Sequence, residues 1–253
     1  MNFLEEIKKT LELKTGEPVA SLENRTRPLS LSAFIRQKNG LIGEFKRATP
    51  TKKFNPVLPP SEVARLYQRY GFSAVSVVVE NRYFLTTEQD LADVRKAVDI
   101  PVLKKGFFLY EHQIIEARNQ GADSVLLIVA LLGRERLISL WEKCQELELE
   151  PVVEIHSLEE IETIADLPLS IVGINNRDLK SLTVDLAQGE AALRELKRRK
   201  IGELHIVESG LKEANDLRHF RQLGADGFLI GGCFMEAADL TKKIEEITGG
   251  LTG

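Results

Sequence analysis

The chain has 253 residues, of which 43% are hydrophobic and 28% charged, and its formal net charge is −4. That composition is typical of an ordinary soluble protein, and the length suits one large domain or two small ones. The acidic balance disfavours nucleic acid or an anionic membrane surface as a partner. No apolar run reaches the roughly 18 residues of a membrane span, and Cys144 and Cys233 belong to no CxxC pair that would indicate a disulfide framework or a zinc site.

The first forty residues differ in pattern from the rest of the chain. Two helices are predicted, one in MNFLEEIKKTLE and one from Leu29, joined by the exposed, charge-rich link ASLENRTRP. The first segment contains acidic residues, unlike a signal or transit peptide, so a cytoplasmic protein is expected. We predict a helical extension over residues 1–40, packed on a main domain over 41–253.

From Leu41 onward one unit repeats: an apolar run, a polar turn and an amphipathic helix. The eight runs are LIGEF at 41, AVSVVVE at 74, PVLKKGF at 101, SVLLIVA at 124, PVVEIH at 151, SIVGINN at 170, ELHIVES at 203 and GFLIGG at 227. Eight strands alternating with helices predict a parallel sheet closed into a single (β/α)₈ TIM barrel. The competing fold, a doubly wound open sheet, would carry a GxGxxG turn after its first strand, and none occurs.

Helix boundaries also have local signals. Gly71, Gly121 and Gly224 stand where helices should end, and Ser157 with Glu160 three residues later is a candidate capping box. These signals agree with the alternation of strands and helices.

Polar side chains follow the predicted strands at the end where barrels carry their chemistry. Glu44 and Lys46 lie two residues apart and share one face of a buried strand, which is costly unless the charges are paired or used. Other strand ends supply Glu80, Lys105, Glu154, Asn175, Arg177, Glu208 and Ser209. Any one of these could be a solvated strand end, but the whole set predicts an active site. The fourth strand ends in Ile128, Ala130 and Leu131 and predicts an apolar wall.

The last two strands end in glycines. Ser209-Gly210 precedes a helix expected near Lys212, and Gly231-Gly232 precedes another short helix. Such glycines either serve tight turns or let backbone N–H groups approach an anion. Because barrels frequently bind phosphate after strands seven and eight, the pattern predicts a phosphorylated substrate.

Several reactive side chains are interpreted as structural. His112, His156, His205 and His219 have no metal-ligand spacing, and His156 is expected to point away from Glu154. Lys104 should face outward, opposite to Lys105.

The motifs IGEFKRATPT, PVLKKGFF, GADSVLLIVALL, ELEPVVEIHSLEEI, IVGINNRDL, VESGL and FLIGGCFM resemble, in order and spacing, the indole-3-glycerol phosphate synthase family of tryptophan biosynthesis. The resemblance covers about residues 41–240. It implies a lyase without metal or cofactor that converts 1-(o-carboxyphenylamino)-1-deoxyribulose 5-phosphate to indole-3-glycerol phosphate, CO₂ and water. No nucleic acid or membrane partner is implied, and a monomer or weak dimer is expected.

The resemblance also implies residue roles. Lys105 would be the general acid of ring closure, while Glu154 and the pair Lys46 and Glu44 would share the acid–base steps of dehydration in a division left open. Asn175 would hydrogen-bond the substrate and Glu208 would steady the lysines. Substrate binding would fall to Arg177 at the carboxylate, to Ser209, Gly210, Gly231, Gly232 and Thr49 at the phosphate, and to Phe84, Phe107 and Leu131 around the aromatic ring.

The chain departs from the family pattern on strands two and three. Val78-Val79 replaces Leu-Thr, Leu85-Thr86 follows Phe84 in place of a glycine, and Gly106 replaces an aspartate after the lysine. These changes leave two alternatives: a divergent phosphate-binding barrel, such as a sugar-phosphate isomerase or aldolase, and a non-catalytic ligand-binding barrel.

Overall fold

The computed structural model describes residues 3–12, 27–54 and 58–250. Eight parallel strands form one closed barrel in sequence order, with the last strand paired to the first. The strands are β1 Leu41–Phe45, β2 Ala74–Val78, β3 Val102–Lys105, β4 Ser124–Ile128, β5 Val152–Ile155, β6 Ile171–Asn175, β7 Leu204–Glu208 and β8 Gly227–Ile230. The predicted TIM barrel is confirmed.

Helices alternate with these strands, and a two-stranded hairpin (Ala48–Thr49 with Lys52–Lys53) follows β1. The helices are α1 Phe3–Glu12, α2 Leu31–Gln37, α3 Pro60–Arg69, α4 Glu88–Ala97, α5 Glu111–Asn119, α6 Val129–Glu146, α7 Glu160–Ile164, α8 Leu186–Arg199, α9 Ala214–Gln222, α10 Gly232–Met235 and α11 Leu240–Gly249. Across the described ranges, none is both long and apolar enough to cross a bilayer.

The predicted helix ends are largely confirmed. Gly71, Gly121 and Gly224 have φ values of 76°, 89° and 97°, the left-handed conformation that favours glycine after a helix. The capping box at Ser157 is wrong, because α7 begins only at Glu160. The Glu160 carboxylate instead accepts a hydrogen bond from the backbone N–H of His156 at 3.0 Å.

The two faces of β1 show how the core is divided. A side chain at Gly43 would collide with the Tyr67 ring of α3, so Gly43 faces the helices. By alternation Ile42 and Glu44 face the barrel interior. The Tyr67 ring stacks on Phe72 with ring centroids 4.9 Å apart, which fixes α3 against the sheet. The same alternation directs the charged strand ends into the barrel mouth.

The two N-terminal helices contact opposite ends of the barrel. At the amino ends of the strands, the backbone N–H of Leu29 donates to Asp123 at 2.9 Å, and that of Ser32 in α2 donates to Glu150 at 2.7 Å. At the carboxyl ends, Glu6 of α1 pairs with Arg82 of the loop after β2 at 2.5 Å. Most of the predicted link ASLENRTRP lies outside the described residues, and the division into 1–40 and 41–253 stays a prediction.

Candidate active site

Lys105 lies at the centre of a charged cluster in the barrel mouth. Its Nζ is 2.6 Å from a carboxylate oxygen of Glu208, 3.5 Å from one of Glu44 and 3.7 Å from one of Glu154. These acids come from β7, β1 and β5, so the closed sheet brings together residues far apart in sequence. The Lys105 side chain is 13% exposed and the three carboxylates at most 4%. The ammonium group is therefore the part of this cluster most open to a ligand.

A second lysine, Lys46, shares one of these acids. Lys46 forms an ion pair with Glu44, the residue two positions earlier on the same face. The Lys46 side chain is 14% exposed and lines the mouth of the barrel. Glu44 thus bridges the two lysines, with one carboxylate oxygen toward each.

The carboxylates keep Lys105 charged. Burial would lower the pKa of Lys105, but the charges of Glu208, Glu44 and Glu154 outweigh burial and raise it above its ordinary value. Ion pairing also lowers the pKa of Glu44. Burial alone would raise that pKa, but the charges of Lys46 and Lys105 outweigh burial. Lys105 is therefore a protonated amine at neutral pH.

The other two acids differ in protonation. Burial would raise the pKa of Glu154, but the charges of His156 and Lys105 outweigh it and lower the pKa to about 2. Burial raises the pKa of Glu208 to about 8, with Lys105 opposing the shift and Glu154 adding to it. Glu154 is thus an anion at neutral pH, and Glu208 holds a proton more readily than an ordinary carboxyl. Carboxyls held at different pKa values are typical of acid–base sites.

Glu154 is held from two sides. The Asn175 side-chain amide donates to its Oε2 at 3.0 Å, and Nε2 of His156 lies 3.2 Å from its Oε1. The prediction that His156 points away from Glu154 is therefore wrong. Residues two apart share a face of a strand, and β5 ends at Ile155, so His156 extends the same face beyond the strand.

Aromatic rings form one wall of the mouth. Phe84 and Phe107 lie with ring centroids 6.4 Å apart, and both line the cavity. The Phe84 loop is held by Glu80, whose carboxylate accepts the backbone N–H groups of Arg82 at 2.9 Å, Tyr83 at 2.6 Å and Phe84 at 3.1 Å. Glu80 therefore orders the loop that presents Phe84.

The opposite side of the mouth is formed by glycine turns and lysines. Ser209 and Gly210 have φ values of 65° and 79°, and such strain at a non-glycine residue often marks a functional turn. A Cβ at Gly231 would lie 2.5 Å from Oε1 of Glu44, so this glycine makes room for the acid cluster. A Cβ at Gly232 would have no atom within 4 Å, so Gly232 borders open space. Lysines also line this side of the cavity, namely Lys52, Lys212 and Lys243.

One cavity of about 1040 Å³ joins the aromatic wall, the charged cluster and the glycine turns. Such a volume is ample for a phosphorylated small molecule with an aromatic ring. Aromatic, acid–base and cationic side chains all line it.

Comparison with known proteins agrees with this geometry. A family model described as indole-3-glycerol phosphate synthase matches residues 3–247. The chain belongs to the indole-3-glycerol phosphate synthase family. Relatives with this name include proteins of Aquifex aeolicus, 35% identical over 83% of this chain and 81% of the relative, and Caldanaerobacter subterraneus subsp. tengcongensis, 34% identical over 97% and 96%. A third, from Carboxydothermus hydrogenoformans, is 37% identical over 86% and 84%.

A solved structure of a 3-hexulose-6-phosphate synthase aligns with a TM-score of 0.65 at 16% identity, over 83% of this chain and 99% of that one. At this identity the likeness concerns the barrel fold alone. The recognition of the synthase family from the sequence motifs is confirmed by the family match.

The structure brings most of the predicted site residues of this synthase-family chain to one cavity. The residues that line it are Glu44, Lys46, Thr49, Phe84, Lys105, Phe107, Glu154, Asn175, Arg177, Ser209, Gly210, Gly231 and Gly232. Glu208 is fully buried beneath Lys105 and touches the cavity only through that lysine. Arg177 is oriented by its Nη1, which donates to the carbonyl of Leu182 at 2.6 Å.

Leu131 does not line the cavity, contrary to its predicted place around the ring. The fourth strand ends at Ile128 and the chain turns at once into α6, so Leu131 is buried among the helices and Ala130 is exposed. Ile128 lines the cavity instead. Lys104 points outward as predicted, with its Nζ 2.7 Å from the Gln120 side-chain oxygen.

Gly106 also lines the cavity. A Cβ there would meet nothing closer than the Val79 carbonyl oxygen at 3.4 Å, so packing does not require a glycine. The departure from the family pattern therefore leaves the wall beside Lys105 more open. The sequence pattern did not predict three lysines as site residues, namely Lys52, Lys212 and Lys243. They follow the strand ends by several residues, in loops and helices whose paths periodicity does not predict.

Proposed function

We propose that the chain closes the indole ring of 1-(o-carboxyphenylamino)-1-deoxyribulose 5-phosphate, with loss of CO₂ and water, and that Lys105 is the general acid. As a family member it is a carboxy-lyase of tryptophan biosynthesis that acts on a phosphorylated small molecule. The observation that carries the role of Lys105 is its contact with three buried carboxylates while its amine faces the cavity.

Ring closure needs a proton at the ribulose carbonyl. As the aromatic carbon bonds to the carbonyl carbon, a proton from Lys105 converts the carbonyl oxygen to a hydroxyl. CO₂ then leaves the same aromatic carbon, and its bonding electrons restore the aromatic ring. Lys105 suits this step because its carboxylate neighbours keep it protonated.

Dehydration needs an acid and a base. The new hydroxyl leaves as water after accepting a proton, and the adjacent carbon of the new ring loses a proton to form the double bond. We assign the base to Glu154, whose pKa is lowered to about 2 and which is therefore ionised. We assign the acid to Lys46, which Glu44 holds by an ion pair.

The substrate spans the cavity in one orientation under this proposal. Its ring lies against Phe84 and Phe107, and its carboxylate faces Arg177. The phosphate lies at Ser209, Gly210 and Gly232, with Thr49 and the lysines Lys52, Lys212 and Lys243 close by. The support is that aromatic, acid–base and cationic side chains line one cavity.

An aldolase reaction through Lys105 is disfavoured by the same electrostatics. A Schiff base forms from a neutral amine, which needs a lowered pKa. In this cluster the pKa of Lys105 is raised. We also propose that the protein is cytoplasmic and that it is a monomer or a weak dimer.

The proposal is tested by adding the carboxyphenylamino substrate to the purified chain and monitoring the fluorescence of the indole product over time. We expect product from the carboxyphenylamino substrate in the presence of a metal chelator. Turnover no faster than buffer, by folded protein that binds another sugar phosphate, would refute the proposal.

A further inference from the structure

His156 is a buried titratable side chain that the reaction above does not use. It follows β5 and its side chain is only 5% exposed. A buried ring nitrogen without a polar partner is costly, so the groups that face the two nitrogens decide which charge state of the ring the site favours.

Two carboxylates face the ring. Nε2 lies 3.2 Å from Oε1 of Glu154 on β5, and Nδ1 lies 3.8 Å from Oε2 of Glu160 on α7. From α8, the Gln188 side chain donates to the backbone carbonyl of His156 and not to the ring. Lys105 contacts the other oxygen of Glu154, Oε2, at 3.7 Å. An imidazolium between two anions satisfies this environment, whereas a neutral ring does not.

We propose that His156 is a positioning residue, whose positive charge holds Glu154 ionised and aimed into the cavity. Glu154 is then fixed at both oxygens, by His156 at Oε1 and by Asn175 at Oε2. Its other neighbours in the charged cluster are Lys105 and Glu208. The inference rests on the proposed role of Glu154 as the base of dehydration.

The charge balance supports this role. Burial would lower the pKa of His156, but Glu154 and Glu160 outweigh burial and raise it to about 9. The effect is reciprocal, since His156 is the largest charge that lowers the pKa of Glu154. Without the imidazolium, only Lys105 would oppose the effect of burial, so the pKa of Glu154 would rise.

The test combines His156→Gln with His205→Gln. The glutamine amide reproduces the position of Nε2 without its charge. His205 is an equally buried histidine near Asp226, on the helix-facing side of β7, and serves as the matched control. For His156→Gln we expect the acid limb of kcat to move up by about one pH unit or more. We also expect kcat at neutral pH to fall about 10-fold, because Glu154 loses the charged partner that orients its Oε1, with KM unchanged within about twofold. His205→Gln should leave the acid limb in place.

A measurement on the unaltered protein keeps the test independent of turnover and of variant folding. ¹⁵N NMR of the histidine rings should find both nitrogens of His156 protonated at pH 7.5. A neutral His156 ring at that pH overturns the proposal, and so does a folded His156→Gln enzyme with an unmoved acid limb. If the unaltered protein has no synthase activity but a charged His156, the proposed function fails while the ion pair stands.

Discussion

The ammonium group of Lys105 lies 2.6 Å from the Glu208 carboxylate, which is fully buried beneath it. Glu208 has no contact with the cavity except through this lysine. Gly173 on the neighbouring strand makes the arrangement possible, since a Cβ there would lie 2.6 Å from Oε1 of Glu208. Glu208 therefore influences the charge and position of Lys105, and in the proposed mechanism it would affect the reaction through that lysine.

Replacing Glu208 with glutamine should change the pH dependence of kcat, because it changes the pKa of Lys105, the proposed general acid. After burial, Glu208 is the largest influence on the pKa of Lys105, and it raises that pKa. Removing its charge lowers the pKa of Lys105, so the lysine loses its proton at lower pH. The raised pKa of Lys105 places the basic limb of the unaltered chain above the ordinary lysine value of roughly 10.4. We expect the limb of Glu208→Gln to begin at least about one pH unit lower, in profiles that extend to the highest pH at which both proteins stay folded. An unmoved basic limb would mean that Lys105 is not the titrating acid.

The stability of the protein should also depend on His156. Its folded pKa of about 9 lies above the roughly 6.5 of an unfolded histidine, so its contribution is complete below pH 6.5 and is lost as pH rises through 9. The shift corresponds to at most ~3 kcal/mol. Urea unfolding at pH 6 and pH 9.5 should give a smaller loss of unfolding free energy for His156→Gln than for the unaltered chain. If both proteins lose the same unfolding free energy between pH 6 and pH 9.5, His156 does not form a charged pair with Glu154.

Gly231 and Gly232 form a matched pair for testing space in the site. A methyl group at Gly231 would press on Glu44, whereas one at Gly232 would meet open space. We expect Gly231→Ala to cost about 1–3 kcal/mol of unfolding free energy and to slow turnover, because it displaces the acid that bridges both lysines. Gly232→Ala should unfold like the unaltered chain. If urea denaturation shows Gly232→Ala to be less stable than Gly231→Ala, the described packing is contradicted.

Glu80 should affect substrate binding more than chemistry. Its carboxylate orders the Phe84 loop through three backbone N–H groups. Glu80→Ala frees that loop, so we expect KM to rise about 10-fold, roughly the free energy of one charged hydrogen bond, with kcat changed less. Glu80→Gln keeps one acceptor oxygen, so its KM should lie between those of the unaltered chain and Glu80→Ala. A fall in kcat at constant KM would show that Glu80 acts on the reaction itself.

The barrel and much of its mouth could be predicted because both follow from simple periodicities. Apolar runs alternate with amphipathic segments, and polar residues at strand ends meet when the sheet closes. The pairing of Glu44 with Lys46 follows from the two-residue period of a strand. None of these needs information about side-chain direction beyond the strands.

The failures occur where the chain leaves a strand. Leu131 was expected in the wall, but β4 ends three residues earlier and periodicity does not mark that end. His156 lies just past β5, where its contact with Glu154 depends on how the chain continues. The role of Gly231 as space for Glu44 involves two neighbouring strands and is absent from any local pattern. Long-range packing decides the case of Gly231, whereas the other two depend on where β4 ends and on whether the two-residue period continues past β5.

The most direct test of the central claim compares Lys105→Met with Lys104→Met in the synthase assay. Lys104 is the adjacent lysine on the outer face of β3 and contacts Glu88 and Gln120 rather than the cavity. We predict that Lys105→Met lowers kcat by about 10²-fold or more and still binds a phosphate-bearing product analogue, while Lys104→Met retains its turnover. A folded Lys105→Met protein with turnover close to that of the unaltered chain would contradict the account.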